Sequence, residues 1–331
     1  MTLLAMSLRA LRERTLSSAL TAASVALGVG LAAAVLLLER EAREAYEGTA
    51  AGVEILVGGD KGGRIDTLLS ALYHVGRAPG RVPMSLFLRL QSDQRVRWAV
   101  PVAFGDSYRG APVVGTTKEF FERLRPRRDA VFEVEGALFG AEPRRAVAGA
   151  DAARRVGLSI GDVFFPAHGG DAGGRLHEHE PFTVSGILRP TGSAHDRAIW
   201  VGLHDFLHLR GHEGLLRGGE EEEAVSAIFV KSASPSPFVV EDLIREINDG
   251  DEAQAIRPGQ AIAELFDLVG VARRALSAVA ALVIAVAVVS VMVALHNAMA
   301  ERRREIALLR ALGAHRRTVF SMLLLESALL C

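Results

Sequence analysis

Two apolar runs without a single charge dominate the pattern of this chain: Leu16–Leu38, 23 residues, and Ala275–Leu295, 21 residues. At about 1.5 Å per residue a helix over the first reaches roughly 34 Å, enough to cross the hydrocarbon core of a bilayer. A third apolar stretch begins at Ser321. Between the first two, short β-rich runs alternate with amphipathic ones, and Gly or Pro stands at most junctions. Val53–Val57, Arg97–Ala103, Ala111–Gly115, Arg145–Ala148, Phe182–Leu188, Ala198–Gly202 and Ala227–Val230 are predicted strands. Thr116-Thr117-Lys118-Glu119 reads as a capping box ahead of Phe120–Leu124. Ala150–Val156 predicts a short helix closed by Gly157. Ser236-Pro237 opens another, with Val240, Leu243, Ile244 and Ile247 on one stripe. From Gln260 a helix is expected to run unbroken into the second long apolar run. The fold class is therefore α-helical transmembrane segments with an α+β domain inserted between the first and second spans.

Composition supports membrane helices. Half the residues are hydrophobic but only 6% are aromatic, so the excess is Ala, Leu and Val. A net charge of −1 argues against a general nucleic-acid surface. The single cysteine, Cys331, excludes intramolecular disulfides and cysteine-cluster metal sites. The first apolar run exceeds the roughly 7–15 residues of a signal-peptide core, and no clean cleavage site follows, so it reads as an uncleaved span. Arg9, Arg12 and Arg14 precede it against Glu13, whereas Glu39, Glu41, Glu44 and Glu47 outnumber Arg40 and Arg43 beyond it. The positive-inside rule then puts both ends in the cytoplasm and residues 39–272 outside. The expected order is a cytoplasmic arm (1–15), span 1 (16–38), an extracytoplasmic domain (39–259), a stalk helix (260–274), span 2 (275–295), a cytoplasmic segment (296–317) and the start of span 3 (318–331).

The cytoplasmic segment carries the most specific pattern, ERRREIALLRALGAHRRTVF over Glu301–Phe320. Ile306, Leu309 and Leu312, with the small Ala307 and Ala311, form a narrow apolar face. Arg302, Arg303, Arg304, Glu305 and Arg310 cover the rest, and Gly313 ends the helix. Such a helix suits a membrane surface or a groove on a partner. This stretch resembles, nearly letter for letter, the one after the second span of FtsX-like and MacB-type ABC transporter permeases. Val113-Val114-Gly115-Thr116, Gly157-Leu158-Ser159-Ile160-Gly161-Asp162 and Val184-Ser185-Gly186-Ile187-Leu188 are similar to recurring phrases of that family's outer domain.

The resemblance implies a multi-pass protein of a bacterial inner membrane whose outer α+β domain has two mixed α/β subdomains. It implies a non-enzymatic permease subunit working with a cytoplasmic ABC ATPase that binds ATP itself. Docking would fall on Glu301, Arg302, Arg303, Arg304, Glu305, Leu309, Arg310, Leu312 and Gly313. A second permease copy, a periplasmic lipoprotein or binding protein and membrane lipid are the other implied partners; nucleic acid is not. Members usually have four spans, and this sequence ends inside what would be the third, so a fragment or a truncated gene is expected.

Other chemistry is sparser. Seven of the ten histidines lie between His168 and His212. His168, His177 and His179, with Glu178 and Glu180, offer imidazole and carboxylate ligands suited to Zn²⁺ in a glycine-rich loop, or simply a solvated polar loop. A zinc-linked transport or sensing module is thus one rival reading, and a regulator of a cell-wall hydrolase is another. Val57–Gly63 lacks the GxxxxGK[ST] order of a phosphate-binding loop. His74, Asp106 and Ser107 supply the residue types of a triad without any motif to join them.

Overall fold

The computed structural model describes residues 15–50, 52–59, 63–76, 78, 80–127, 130–140, 142–168, 180–209, 223–234, 236–301, 315 and 320–321. They fall into two compact units, Ala42–Asp267 and the remainder. In chain order the first elements are α1 (Thr15–Thr49), β1 (Ile55–Gly58), α2 (Arg64–Tyr73), β2 (Val82–Pro83), α3 (Met84–Ser92), β3 (Val96–Tyr108) and β4 (Ala111–Thr116). Then come α4 (Glu119–Arg123), β5 (Val134–Gly136), β6 (Arg145–Ala148), α5 (Ala150–Val156), β7 (Val163–Phe164), β8 (Ala167–His168) and β9 (Phe182–Leu188). A 3₁₀ turn (Ala194–Arg197) leads to β10 (Ile199–Gly202), α6 (Leu203–Leu207), β11 (Ala224–Val225), β12 (Ala227–Ser232), α7 (Pro237–Asn248), β13 (Gln254–Ile256) and α8 (Pro258–Glu301).

Among the described residues one 11-stranded sheet organises the Ala42–Asp267 unit, in the order β13-β1-β12-β3-β4-β10-β6-β9-β5, with β7 on β9 and β8 on β3. Among the described residues only β4–β10 and β6–β9 pair in parallel. The sheet runs unbroken through the region where the resemblance implies two subdomains, and β3, whose 13 residues pair with β12 and with β4, lies within it.

Burial explains where the helices lie. All four residues of β1 are buried, so both faces of the sheet are covered there. Leu56 packs with Leu68, Leu72 and Phe229 on one face. Its neighbours Ile55 and Val57 pack with Leu86, Leu90, Val240 and Leu243 on the other. β9 alternates buried and half-buried residues with a period of two, as a strand covered mainly on one side does. A third cluster gathers Ala146, Ala148, Phe164, Phe182, Ile199 and Phe206.

Several predicted elements appear at or near their expected bounds, including β6, β9 and α5. Gly157 caps α5 at φ +72°, a left-handed conformation that glycine adopts without a Cβ clash. The capping box differs. Thr116 Oγ1 donates to the Pro101 carbonyl at 2.8 Å, inside the sheet. Glu119 instead takes a hydrogen bond from the Thr117 side chain, which with its own backbone N–H holds its carboxyl below the usual range. Helices α2 and α3 and the short strands β2, β5, β7, β8, β11 and β13 were not expected.

In the other unit, α1 and α8 touch through small residues. A Cβ added at Gly28 would lie 3.0 Å from the Ile284 side chain, and Ala280 and Ala287 are buried. Leu27, Leu38, Leu282 and Met292 are exposed. By length and mean hydropathy, no helix among the described residues is long and apolar enough to cross a membrane. The structure therefore does not establish the two spans, although α1 and α8 contain both uncharged runs.

Phe229→Ala empties a fully buried site beside Phe120 and is expected to destabilise the Ala42–Asp267 unit by about 3–5 kcal/mol. Phe238, 84% exposed, changed to Ala is expected to stay within about 0.5 kcal/mol. Urea unfolding of the two variants compares them, and equal losses would contradict this core assignment.

Candidate functional site

Most of the predicted docking residues, Arg302, Arg303, Arg304, Glu305, Leu309, Arg310, Leu312 and Gly313, lie outside the described residues. Glu301 is the last residue of α8. Of the predicted metal ligands, His177, Glu178 and His179 also lie outside them. The other two take different partners. His168 Nδ1 lies 2.5 Å from the carboxylate of Asp106, whose side chain is wholly buried. Glu180, also buried, accepts from the Arg144 guanidinium at 3.4 Å. Among the described residues no three His, Cys, Asp or Glu side chains gather as a metal would require.

What the fold brings together lies elsewhere. His74 follows the last residue of α2 and caps it at φ 56°. Its Nε2 lies 3.4 Å from Nδ1 of His195 in the 3₁₀ turn, although 121 residues separate them. Three neighbouring groups hold that turn. The buried Asp196 carboxylate accepts from the backbone N–H groups of Thr191 and Gly192 and from the Thr191 hydroxyl, at 2.8–3.1 Å. The Trp200 indole N–H donates to the His195 carbonyl at 3.3 Å. Phe120, Phe132 and Trp200 surround the His195 ring at 5.3–5.7 Å.

The final turns of α1 grip both sides of this pair. The Tyr73 hydroxyl, one residue before His74, donates to the Tyr46 carbonyl at 2.6 Å. Burial pushes the Tyr73 phenol well above its ordinary pKa, so it stays a donor. Thr49 Oγ1 accepts from the backbone N–H of Ala194, one residue before His195, at 3.5 Å. The first turns of α8 close the group: Phe266 meets Tyr46 edge to face at 5.8 Å, and the Arg43 guanidinium lies 4.6 Å above the Phe266 ring.

Beside His74 opens a cavity of about 380 Å³ lined by His74, Phe104, Asp106, Ser107, Pro112 and Val114, among others. It lies where β3 bulges between Phe104 and Asp106; a bulge bends its strand and re-aims the side chains beyond it. His74, Asp106 and Ser107 all line it, but the Asp106 side chain has no exposed surface and pairs with His168. Sequence reading missed the two-histidine contact because only the sheet brings α2 beside the turn before β10.

An α/β domain on one continuous sheet, inserted in the chain between two long helices, is the class of protein these features define. The MacB-like periplasmic core domain family matches residues 18–247, and the FtsX-like permease C-terminal family matches residues 277–331. The chain belongs to the MacB/FtsX-type family of ABC transporter permeases. Among solved structures, it is similar to the periplasmic region of MacB from Actinobacillus actinomycetemcomitans. The identity is 13% over 66% of this chain and 94% of that one, with a TM-score of 0.41. It is also similar to the extracellular domain of the ABC-type transporter YknZ from Gram-positive bacteria, at 15% identity over 61% of this chain and 99% of that one, with a TM-score of 0.36. No curated protein matches.

Burial pushes His195 down to about 3 and His74 well below the ordinary histidine value, so both rings stay neutral in the fold. The unfolded chain protonates both near pH 6.5 and the folded chain does not. Their contribution to stability is complete above about pH 6.5 and falls as the pH drops below it, for His195 down towards about 3. His195→Phe is expected to flatten the acid limb of a urea-midpoint profile between pH 7 and 4.5. An unchanged slope would sink this account.

Proposed function

We propose that this chain is a permease subunit that transmits ATP-driven motion from a separate cytoplasmic ATPase to its α/β domain. Family membership supports an ATPase partner. The observation that carries the mechanical reading is the junction of Tyr46, Tyr73, Thr49, Ala194 and Phe266, where the ends of α1 and α8 hold the residues preceding His74 and His195. A shift of either helix end strains a hydrogen bond or ring contact on each side of the histidine pair. In this reading α1 and α8 carry spans 16–38 and 275–295 through a bacterial inner membrane, with the α/β domain outside. Exposed aliphatic side chains and the close Gly28–Ile284 approach support it. The docking element is the basic amphipathic segment from Glu301 to Gly313, and a second permease copy completes the assembly.

Leu309→Asp with Leu312→Asp is expected to release the ATPase from the purified complex while the α/β domain keeps its urea midpoint. Unchanged co-purification and ATP turnover would reject the docking role.

One contact favours a second reading. His168 Nδ1 faces the buried Asp106 carboxylate, the arrangement that fixes ring and tautomer in metal-binding histidines. We infer that His168, with His177 and His179 and with Glu178 or Glu180, takes up Zn²⁺. Neutral imidazole is the ligand form, so zinc competes with protons and uptake should weaken in acid. Calorimetry of the chain and its triple His→Ala variant distinguishes the cases; equal uptake, or none at micromolar zinc, ends the metal reading.

A further inference from the structure

We propose that the His74–His195 contact is an acid-sensitive latch on the end of α1. A proton taken up by His74 carries its ring out of the pair towards solvent, and the Tyr73 hydroxyl then loosens its hold on Tyr46. Every contact in the latch lies within the Ala42–Asp267 unit, so the inference does not depend on the ATPase.

The closed pair cannot take that proton where it stands. His74 Nε2 and His195 Nδ1 make one hydrogen bond at 3.4 Å. His74 Nδ1 and His195 Nε2 are buried and have no hydrogen-bond partner among the described residues. Whichever ring donates, one N–H and one lone pair go unmet, so the closed contact already carries a cost. A further proton would add a buried charge beside it. The surrounding groups do not offset that charge. In the turn, the Asp196 carboxylate is committed to Thr191 and Gly192, and Arg197 adds repulsion. From α1 and α2 come the Tyr46 and Tyr73 phenols and Glu47, whose charge acts on Tyr73. The uncharged rings of Phe120, Phe132 and Trp200 face the pair from α4, the segment before β5, and β10. Asp106 of β3 lines the same cavity as His74 but pairs with His168.

Of the two rings, His74 is the one free to leave. His195 has no exposed surface, and Trp200 and Asp196 brace its turn. His74 is half-buried at the end of α2, and exposed Val75 and Gly76 follow it. Both His74 and Gly76 line the cavity, which gives the ring space to turn into. The His74 φ of 56° is left-handed, a conformation that costs free energy for a residue with a Cβ. The backbone N–H groups of His74 and Val75 hold this cap by donating to the Leu69 carbonyl. Once in water the ring takes its proton near pH 6.5, whereas burial in the closed pair keeps it neutral well below that. The open arrangement binds the extra proton, so opening increases as the pH falls through about 6.5. Tyr73 is the residue before His74, so a displaced cap draws its phenol away from Tyr46.

Hydrogen exchange of the full chain in nanodiscs, corrected for intrinsic exchange at each pH, reads the opening between about pH 7.5 and 5.5, above the range in which ordinary carboxylates protonate. Opening at residues 69–76 is expected to rise about tenfold over that interval, the effect of one proton. Residues 42–50 of α1 should open with them, while β1 keeps its protection. His74→Asn suits the left-handed cap and should leave the opening independent of pH. A parallel rise in β1 would mean general unfolding, and a rise at 69–76 without one at 42–50 would leave α1 held; either overturns the latch. So would no rise at all, or an equal rise in folded His74→Asn. Should that variant misfold, the comparison of the three segments in the unaltered chain decides by itself. None of these results bears on whether the ATPase docks.

Discussion

The hydrogen bond from the Tyr73 hydroxyl to the Tyr46 carbonyl is the contact on which the arrangement around the histidines depends. A carbonyl near the end of a helix draws on donors beyond the helix itself. Here it receives a phenol that burial keeps protonated. Because Tyr73 ends α2 and His74 caps it, fixing the phenol also fixes where the imidazole projects. Thr49, one turn further along α1, does the same for Ala194 and hence for His195. One helix end thus positions two residues that the chain separates by 121.

The sheet provides the rigidity this needs. Strand β1 is buried on both faces and flanked by β12 and β13, and β3 ties that part to β4, β10 and β6 beyond. The cost is local: the bulge in β3 interrupts the ladder beside the cavity. Surface ion pairs add little to stability but orient elements. Arg95 reaches Asp93, Asp242 and Glu246 and so links the start of β3 to α7, in an exposed setting where such pairs are screened.

In the mechanical reading proposed above, motion delivered to α1 or α8 acts first on Tyr46, Thr49 and Phe266, and then on the two histidines that their neighbours hold. Coupling of this kind needs an element with two discrete arrangements; in that reading the His74–His195 pair at the C-terminal end of α2 is the place for one.

Much of the fold was legible in the chain. Period-two burial in β9, the glycine closing α5 and the stripe of Val240, Leu243 and Ile247 in α7 are local properties, dictated by side-chain direction and backbone sterics. The family wording around Glu301 and Gly157–Asp162 is equally local. Short strands such as β8 and β13 were illegible because two or three residues carry no periodicity; only their partners make them strands. The capping box misled for a related reason: Thr116 had a stronger claim on it from the Pro101 carbonyl across the sheet. His74, Asp106, Ser107 and His195 are ordinary residues in sequence. What makes them a site is burial and proximity, and both arise only when non-local pairing brings α2, β3, β8 and the turn before β10 together.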